Sequence, residues 1–218
     1  MSATGRRRRR GPRVVVTAGP TREYVDPVRF LSNESSGRMG FAIARAAARA
    51  GCRVTLISGP VALETPPGVR RVDVVSAREM LAAVREAFEA ADALYMCAAV
   101  ADWRPARRLS GKWRAKDGGA DRVSLDLVRN PDILATVARR KGERLVVGFA
   151  LETGSGLRRA RAKMARKGAD YIVLNDSSAL NARRASVRIL GVDGSRRELV
   201  DQGKDRIARA LVELCAGR

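Results

Sequence analysis

The sequence predicts an α/β fold of Rossmann-like type, a mostly parallel sheet with helices on both faces and a late β-hairpin. Three observations carry that reading. Short, continuously apolar runs rich in Val, Ile, Leu and Tyr recur along the chain, as strands buried on both faces require. Amphipathic segments of helical period separate them. Two long stretches rich in Gly, Pro and charge, Gly19–Gly37 and Trp103–Asp121, follow apolar runs, where an open α/β sheet binds its ligands.

The elements follow in order. Residues 1–13 carry five consecutive arginines, Arg6–Arg10, and read as a disordered basic tail, because like charges repel and the segment has nothing to bury. Residues 14–218 are expected to form a single domain. Strands are predicted at Val14–Thr17, Arg53–Ile57, Arg71–Val75, Ala93–Cys97, Leu145–Phe149 and Tyr171–Leu174. Arg38–Ala50 reads as a helix with Met39, Ile43 and Ala46 on one face. A second helix starts at Ser76, with Glu79 in capping-box position, and runs through Met80, Val84 and Phe88. Pro131–Arg140, with proline near the first turn, Gly156–Lys167 and Lys204–Ala216 complete the helices. Val187–Gly191 and Arg196–Val200 read as a hairpin turning through Asp193-Gly194.

Composition removes several chemistries. The 218 residues include no histidine, which excludes Ser-His-Asp and Cys-His hydrolases, the common zinc hydrolase sites and any imidazole base. Cys52, Cys97 and Cys215 lie far apart in apolar segments and form no CxxC pair, so buried free thiols are expected. No apolar run approaches the roughly 18–20 residues that span a bilayer. None of signal-peptide type follows the arginines, so no membrane is expected and the cytoplasm is the expected compartment. The formal charge of +20, from 43 Lys+Arg against 23 Asp+Glu, favours anionic partners, whether nucleic acid or polyphosphate metabolites.

Thr17-Ala18-Gly19-Pro20 follows the first strand, and Ser35-Ser36-Gly37-Arg38 opens the first helix. Gly19, Ser35, Ser36 and Gly37 are candidates for nucleotide binding through phosphate contact, since small residues at a helix N-terminus leave backbone N–H groups approachable. An NAD(P)-dependent reductase is one reading of such an opening. About fifteen residues separate Gly19 from Ser35, however, and no Tyr-x-x-x-Lys pair supplies a proton donor. A basic nucleic-acid-binding protein is another reading, favoured by the charge and disfavoured by the 4% aromatic content.

The run TAGPTREYVDPVRFLSNESSGRMGFAIA, followed by CAAVADWRP, LVRNPDIL, VVGFALET and YIVLND, resembles bacterial phosphopantothenoylcysteine synthetases over Val14 to Asp176, and more weakly beyond. The resemblance implies a two-step ligase of coenzyme A biosynthesis. The carboxylate of 4′-phosphopantothenate attacks the α-phosphate of CTP, giving an acyl-cytidylate and pyrophosphate. The amino group of L-cysteine then displaces CMP. Magnesium accompanies the nucleotide, held mainly through its phosphates. Such activation relies on charge stabilisation and positioning rather than on a histidine base.

The resemblance also implies roles. Asn33 acts on the acyl-cytidylate, and Lys112 is the catalytic lysine, with Lys116 as competitor because Lys112-Trp113-Arg114-Ala115-Lys116 departs from the usual lysine-rich run. Ala98 and Ala99 keep the mouth of the nucleotide site open, and Asp102 contacts cytidine. Asn130, Pro131, Asp132, Ile133 and Leu134 place a helix N-terminus at the nucleotide, and Phe149 lies beside the cytosine. Lys163 and Lys167, one helical turn apart, hold the triphosphate. Arg38 stands where lysine is usual. Asp102 and Phe149 favour CTP over ATP. A homodimer is implied, with Gly19–Gly37 closing over a shared site. Only the arginine-rich tail precedes Val14, so no FMN is expected, and a separate flavin-dependent decarboxylase would take the next step. Nucleic acid is not expected as a physiological partner.

Overall fold

Apolar strands of this kind need cover on both faces, and the sheet they build supplies the frame for two helical layers. The computed structural model describes residues 11–114, 122–152, 156–176 and 184–216. Among them the sheet contains β1 (Arg13–Ala18), β4 (Arg53–Ser58), β5 (Val69–Asp73), β6 (Ala93–Met96), β9 (Leu145–Glu152), β10 (Tyr171–Asp176), β11 (Arg184–Gly191) and β12 (Arg196–Gly203). Their order is β12-β11-β10-β9-β6-β1-β4-β5. All neighbours from β5 to β10 run parallel, and β11 and β12 close one edge antiparallel. The predicted fold class is observed.

The period of two along each strand divides the core. Val14, Val16 and Ala18 of β1 point to one face, under α1 (Arg38–Arg49) and α5 (Lys204–Ala216), where they meet Phe41, Ile43, Ile207 and Leu211. Val15 points to the other face, under α2 (Ala77–Phe88), α3 (Ile133–Ala138) and α4 (Leu157–Lys167), among Met80, Val84, Val137 and Met164. Tyr95 of β6 is fully buried, and its hydroxyl donates to the Leu211 carbonyl at 2.9 Å, which ties α5 to the middle of the sheet.

Several boundaries differ from expectation. Gly11–Arg13, assigned to the basic tail, are ordered: Arg53 N donates to the Pro12 carbonyl at 2.8 Å, and β1 begins at Arg13. The tail's residues 1–10 lie outside the described residues. β5 spans 69–73 rather than 71–75 because parallel pairing sets Val69 opposite Val54, and as an edge strand it is only partly buried. The helix expected over Pro131–Arg140 is α3, over Ile133–Ala138. Asp132 is its N-cap, accepting from Ala135 N at 3.0 Å, so Pro131 stands outside it. The three cysteines are free, as expected, but each is partly rather than fully buried.

Two small antiparallel pairs were not anticipated: β2 (Arg22–Tyr24) with β3 (Phe30–Ser32), and β7 (Trp103–Pro105) with β8 (Leu127–Arg129). β2, β3 and β7 fall within the two long stretches that break the alternation, β8 lies just beyond the second, and β2 packs beside β7. No helix among the described residues is long and apolar enough to cross a membrane.

Candidate active site

In the strand order, β4 and β6 flank β1 on opposite sides, so the chain reverses direction across the sheet between β1 and β6. A crevice opens at such a reversal beyond the C-terminal strand ends. Close backbone approach shapes it. Gly19, at φ 74°, accepts from Ala99 N at 2.9 Å, and a Cβ on Gly59 would lie 1.7 Å from the Pro20 carbonyl oxygen. Only glycine at 59 allows the turns after β1 and β4 to meet.

The segment after β6, Ala98–Asp102, is held by side chains remote in sequence. Thr17 Oγ1 accepts from Ala98 N at 3.1 Å, and Thr21 Oγ1 from Ala101 N at 3.0 Å. Asn33 Nδ2 donates to the Val100 carbonyl at 3.1 Å, and Asn130 Nδ2 to the Ala101 carbonyl at 2.9 Å. Asn130 N also reaches the Asp102 carbonyl at 2.8 Å. The two asparagines therefore brace the segment from opposite sides, leaving the small side chains of Ala98 and Ala99 at the crevice mouth.

Two cavities open there. The first, of about 620 Å³, lies against the start of α1. Asn33, Ser35, Ser36, Gly37 and Ala99 line it, with Lys204 and Asn175 on its wall. Gly37 is the α1 N-cap at φ 73°, and it brings no side chain to cap the helix. The second, of about 240 Å³, is lined by Asn130, Pro131, Asp132, Ile133, Leu134 and Lys167. Ala98, Val100, Asp102, Phe149 and Lys163 line both and form a common wall.

Charge is concentrated at that wall. Lys163 Nζ donates to the Phe149 carbonyl at 2.8 Å, and Lys167 is ion-paired with Asp132. Burial raises the Asp132 carboxyl, but Lys167 and Ala135 N outweigh it and hold the group below its ordinary value. Burial pushes the Cys97 thiol up to about 12 despite Lys204 beside it, so the thiol is neutral near pH 7 and not a nucleophile. Among the described residues no group of three His, Cys, Asp or Glu side chains could hold a metal ion.

The structure brings together Asn33, Ser35, Ser36, Gly37, Ala98, Ala99, Asp102, Asn130–Leu134, Phe149, Lys163 and Lys167 around the two cavities. Gly19 lines neither and instead makes the turn beneath them. Lys112 also lines neither, being exposed on a loop anchored by its neighbour Trp113, whose N donates to Asp26 Oδ2 at 3.1 Å. Lys116 lies outside the described residues. The α3 N-terminus is less open than expected, since Asp132 already occupies Ala135 N. Sequence reasoning missed Lys204 and Asn175. Asn175 carried a signal, as the first polar residue after the apolar run of β10, whereas Lys204 had none.

Comparison with known proteins agrees with this architecture. Residues 9–217 match the DNA/pantothenate metabolism flavoprotein C-terminal domain. The coenzyme A biosynthesis bifunctional protein CoaBC of Escherichia coli K12 is 46% identical over 200 residues, covering 87% of this chain and 49% of that protein. CoaBC of Bacillus subtilis is 45% identical over 194 residues, covering 87% and 47%. The chain thus spans about half the length of the curated relatives it matches. The crystal structure of the C-terminal domain of CoaBC superposes with a TM-score of 0.81 at 38% identity, over 94% of each chain. The DNA/pantothenate metabolism flavoprotein of Streptococcus pneumoniae shares the fold, with a TM-score of 0.80 at 23% identity over 95% of this chain and 99% of that one.

Proposed function

The chain belongs to the DNA/pantothenate metabolism flavoprotein C-terminal domain family, and from that premise we propose that it is a phosphopantothenate–cysteine ligase of coenzyme A biosynthesis. The observation that carries the reading is the common wall of the two cavities. A ligase of this type must bring a carboxylate and a nucleotide α-phosphate, both anionic, into contact. Two cavities that share Asp102, Phe149 and Lys163 allow each substrate its own pocket and a single meeting point.

CTP occupies the second cavity, with Phe149 and Asp102 towards the base and Lys163 and Lys167 towards the phosphates. Lys167 then exchanges Asp132 for a phosphate oxygen. The acid occupies the first cavity, and its carboxylate oxygen attacks the α-phosphorus as the bond to pyrophosphate breaks. Lys112 neutralises the charge on the departing pyrophosphate. Cysteine's amino group next attacks the acyl carbon, the bond to CMP breaks, and the amine proton leaves with the phosphate or to water. Asn33, oriented by the Val100 carbonyl, donates to the acyl oxygen as it becomes tetrahedral. Asp132 is committed to Lys167 and Ala135 N, and the described residues offer no cage of three ligands. Magnesium therefore fits here as a partner of the nucleotide phosphates and would supply charge neutralisation.

A homodimer in the cytoplasm completes the proposal. Phe30, Trp103, Leu127 and Val128 leave an exposed apolar surface on β3, β7 and β8 that a second copy would cover. The decisive assay is pyrophosphate release with 4′-phosphopantothenate, L-cysteine, magnesium and either CTP or ATP. CTP-dependent release that yields phosphopantothenoylcysteine, lost in Asn33→Asp and Lys112→Gln, is expected. Release with ATP alone would overturn the nucleotide, and no release from folded protein would overturn the ligase.

A further inference from the structure

Asp26 has no part in the chemistry above, yet the fold buries its carboxylate completely. It sits in the turn between β2 and β3, where Oδ1 accepts from Val28 N and Arg29 N, each at 2.7 Å. Those two bonds suffice to close the turn, as aspartate commonly does through the N–H groups that follow it. The other oxygen reaches across the chain. Oδ2 accepts from Trp113 N at 3.1 Å and from Arg29 Nη1 at 3.2 Å, and the same Arg29 nitrogen donates to the Trp113 carbonyl at 2.7 Å. Four residues earlier, Leu109 N donates to the Val25 carbonyl at 2.8 Å, and the Arg108 guanidinium lies 4.8 Å from the centre of the Tyr24 ring. Lys112 therefore stands between two points, Leu109 and Trp113, at which its loop is tied to the β2–β3 hairpin.

The hairpin is itself fixed to the body of the fold. Glu23 accepts from Ala77 N at 2.9 Å at the start of α2, and Arg22 N donates to the Val75 carbonyl at 2.8 Å. Ser32 Oγ donates to the Thr21 carbonyl at 2.8 Å, closing the base of the hairpin just before Asn33. One anchored element thus carries Asn33 at its base and holds the Lys112 loop at its tip. We infer that Asp26 is a positioning residue for the first step of the reaction: its Oδ2, together with Arg29, fixes the loop from which Lys112 meets the departing pyrophosphate. This rests on the ligase reading and on the role that reading gives Lys112. The connection from β7 to β8 is long, and without the tie its lysine would spread over many positions. A displacement of about 1 Å in a catalytic group costs on the order of a hundredfold in rate.

Asp26→Asn separates the tie from the turn. The amide oxygen still accepts from Val28 N and Arg29 N, so the hairpin forms, but the amide nitrogen sets a donor against Trp113 N and offers Arg29 no charge. Single-turnover pyrophosphate release without cysteine should slow about tenfold or more, with the KM values for CTP and the acid within about twofold of wild type. Acyl-cytidylate accumulated on the variant should then react with cysteine within about twofold of the wild-type rate, because Asn33 keeps its place. A merely structural role would slow both steps alike or lower only the active fraction. Trypsin reads the tie directly: the bonds after Arg108 and Lys112, whose N–H groups are those of Leu109 and Trp113, should be cut several-fold faster in the variant, while the bond after Arg49 is cut no faster. An unchanged rate of pyrophosphate release, or equal slowing of both steps, overturns the inference while leaving the ligase intact. Wild-type protein that releases no pyrophosphate overturns the ligase. Trypsin then decides the tie alone, and equal cleavage after Lys112 in wild type and variant overturns it.

Discussion

Adding one methyl group at Gly40 tests whether the contact between α1 and β1 positions the candidate site. Gly40 is buried in the first turn of α1, and a Cβ there would lie 2.5 Å from Ala18 Cβ, 2.8 Å from the Thr17 carbonyl oxygen and 3.0 Å from Ala18 Cα. None of these atoms belongs to a side chain that can rotate away. The helix must instead lift by about 1 Å to restore ordinary contact. Overpacking of this kind costs about 1–3 kcal/mol, and the better helix propensity of alanine returns roughly 1 kcal/mol. With rigid neighbours the net loss should be about 2 kcal/mol, which for a domain of this size lowers the melting temperature by roughly 4–8 °C. The same lift moves the N–H groups that face the first cavity, so the KM for the acid should rise several-fold while that for the nucleotide changes little. Thermal unfolding and steady-state kinetics read the two effects. Gly203→Ala, where a Cβ meets nothing within 4 Å, is the control. A Gly40→Ala protein that melts with wild type and keeps its KM would refute the claim that strand–helix packing fixes this end of the cavity.

Three further outcomes follow from other contacts. Ser76→Ala removes the oxygen that accepts from Glu79 N at 3.2 Å, and urea denaturation should show a loss of about 1 kcal/mol with full ligase activity. Tyr95→Phe removes the buried hydroxyl that donates to the Leu211 carbonyl, and calorimetry should again show a loss of about 1 kcal/mol. Asp26 accepts from the N–H groups of Val28, Arg29 and Trp113; burial raises its carboxyl, but these donors and the Arg29 charge leave it below the ordinary value. Its stabilisation is therefore present above the unfolded value, about pH 4, and is lost as pH falls through the folded one. The gap in melting temperature between wild type and Asp26→Asn should be wide near neutrality and close on acidification, and a constant gap would show that the charge is not what matters.

Local pattern was enough for the sheet and its helices. Strands such as β1 and β9 are apolar on both faces, so burial leaves them few alternatives, and α2 announces itself through Ser76 and Glu79, three residues apart. Most of the candidate site was legible for a similar reason, because its residues cluster in short segments immediately after strand ends, as at Ser35–Gly37 and Ala98–Asp102. β5 shifted by two residues because its register depends on β4, a partner that no local window contains.

What only the tertiary structure decided rests on partners far apart in the chain. The sequence determined that Asn33 and Asn130 belonged to motifs, but not that both would brace the same five-residue segment after β6. Nothing in the local pattern marks Asp26 or Glu23, yet the fold buries both, one on the loop of Trp113 and the other on Ala77 N of α2. Lys204 was only the first residue of a predicted helix, and the packing of α5 on α1 sets it on the cavity wall. Periodicity and motif spacing report what a residue does within its own segment. Burial of charge and the meeting of remote loops depend on how the segments stack, and stacking is decided by the whole core at once.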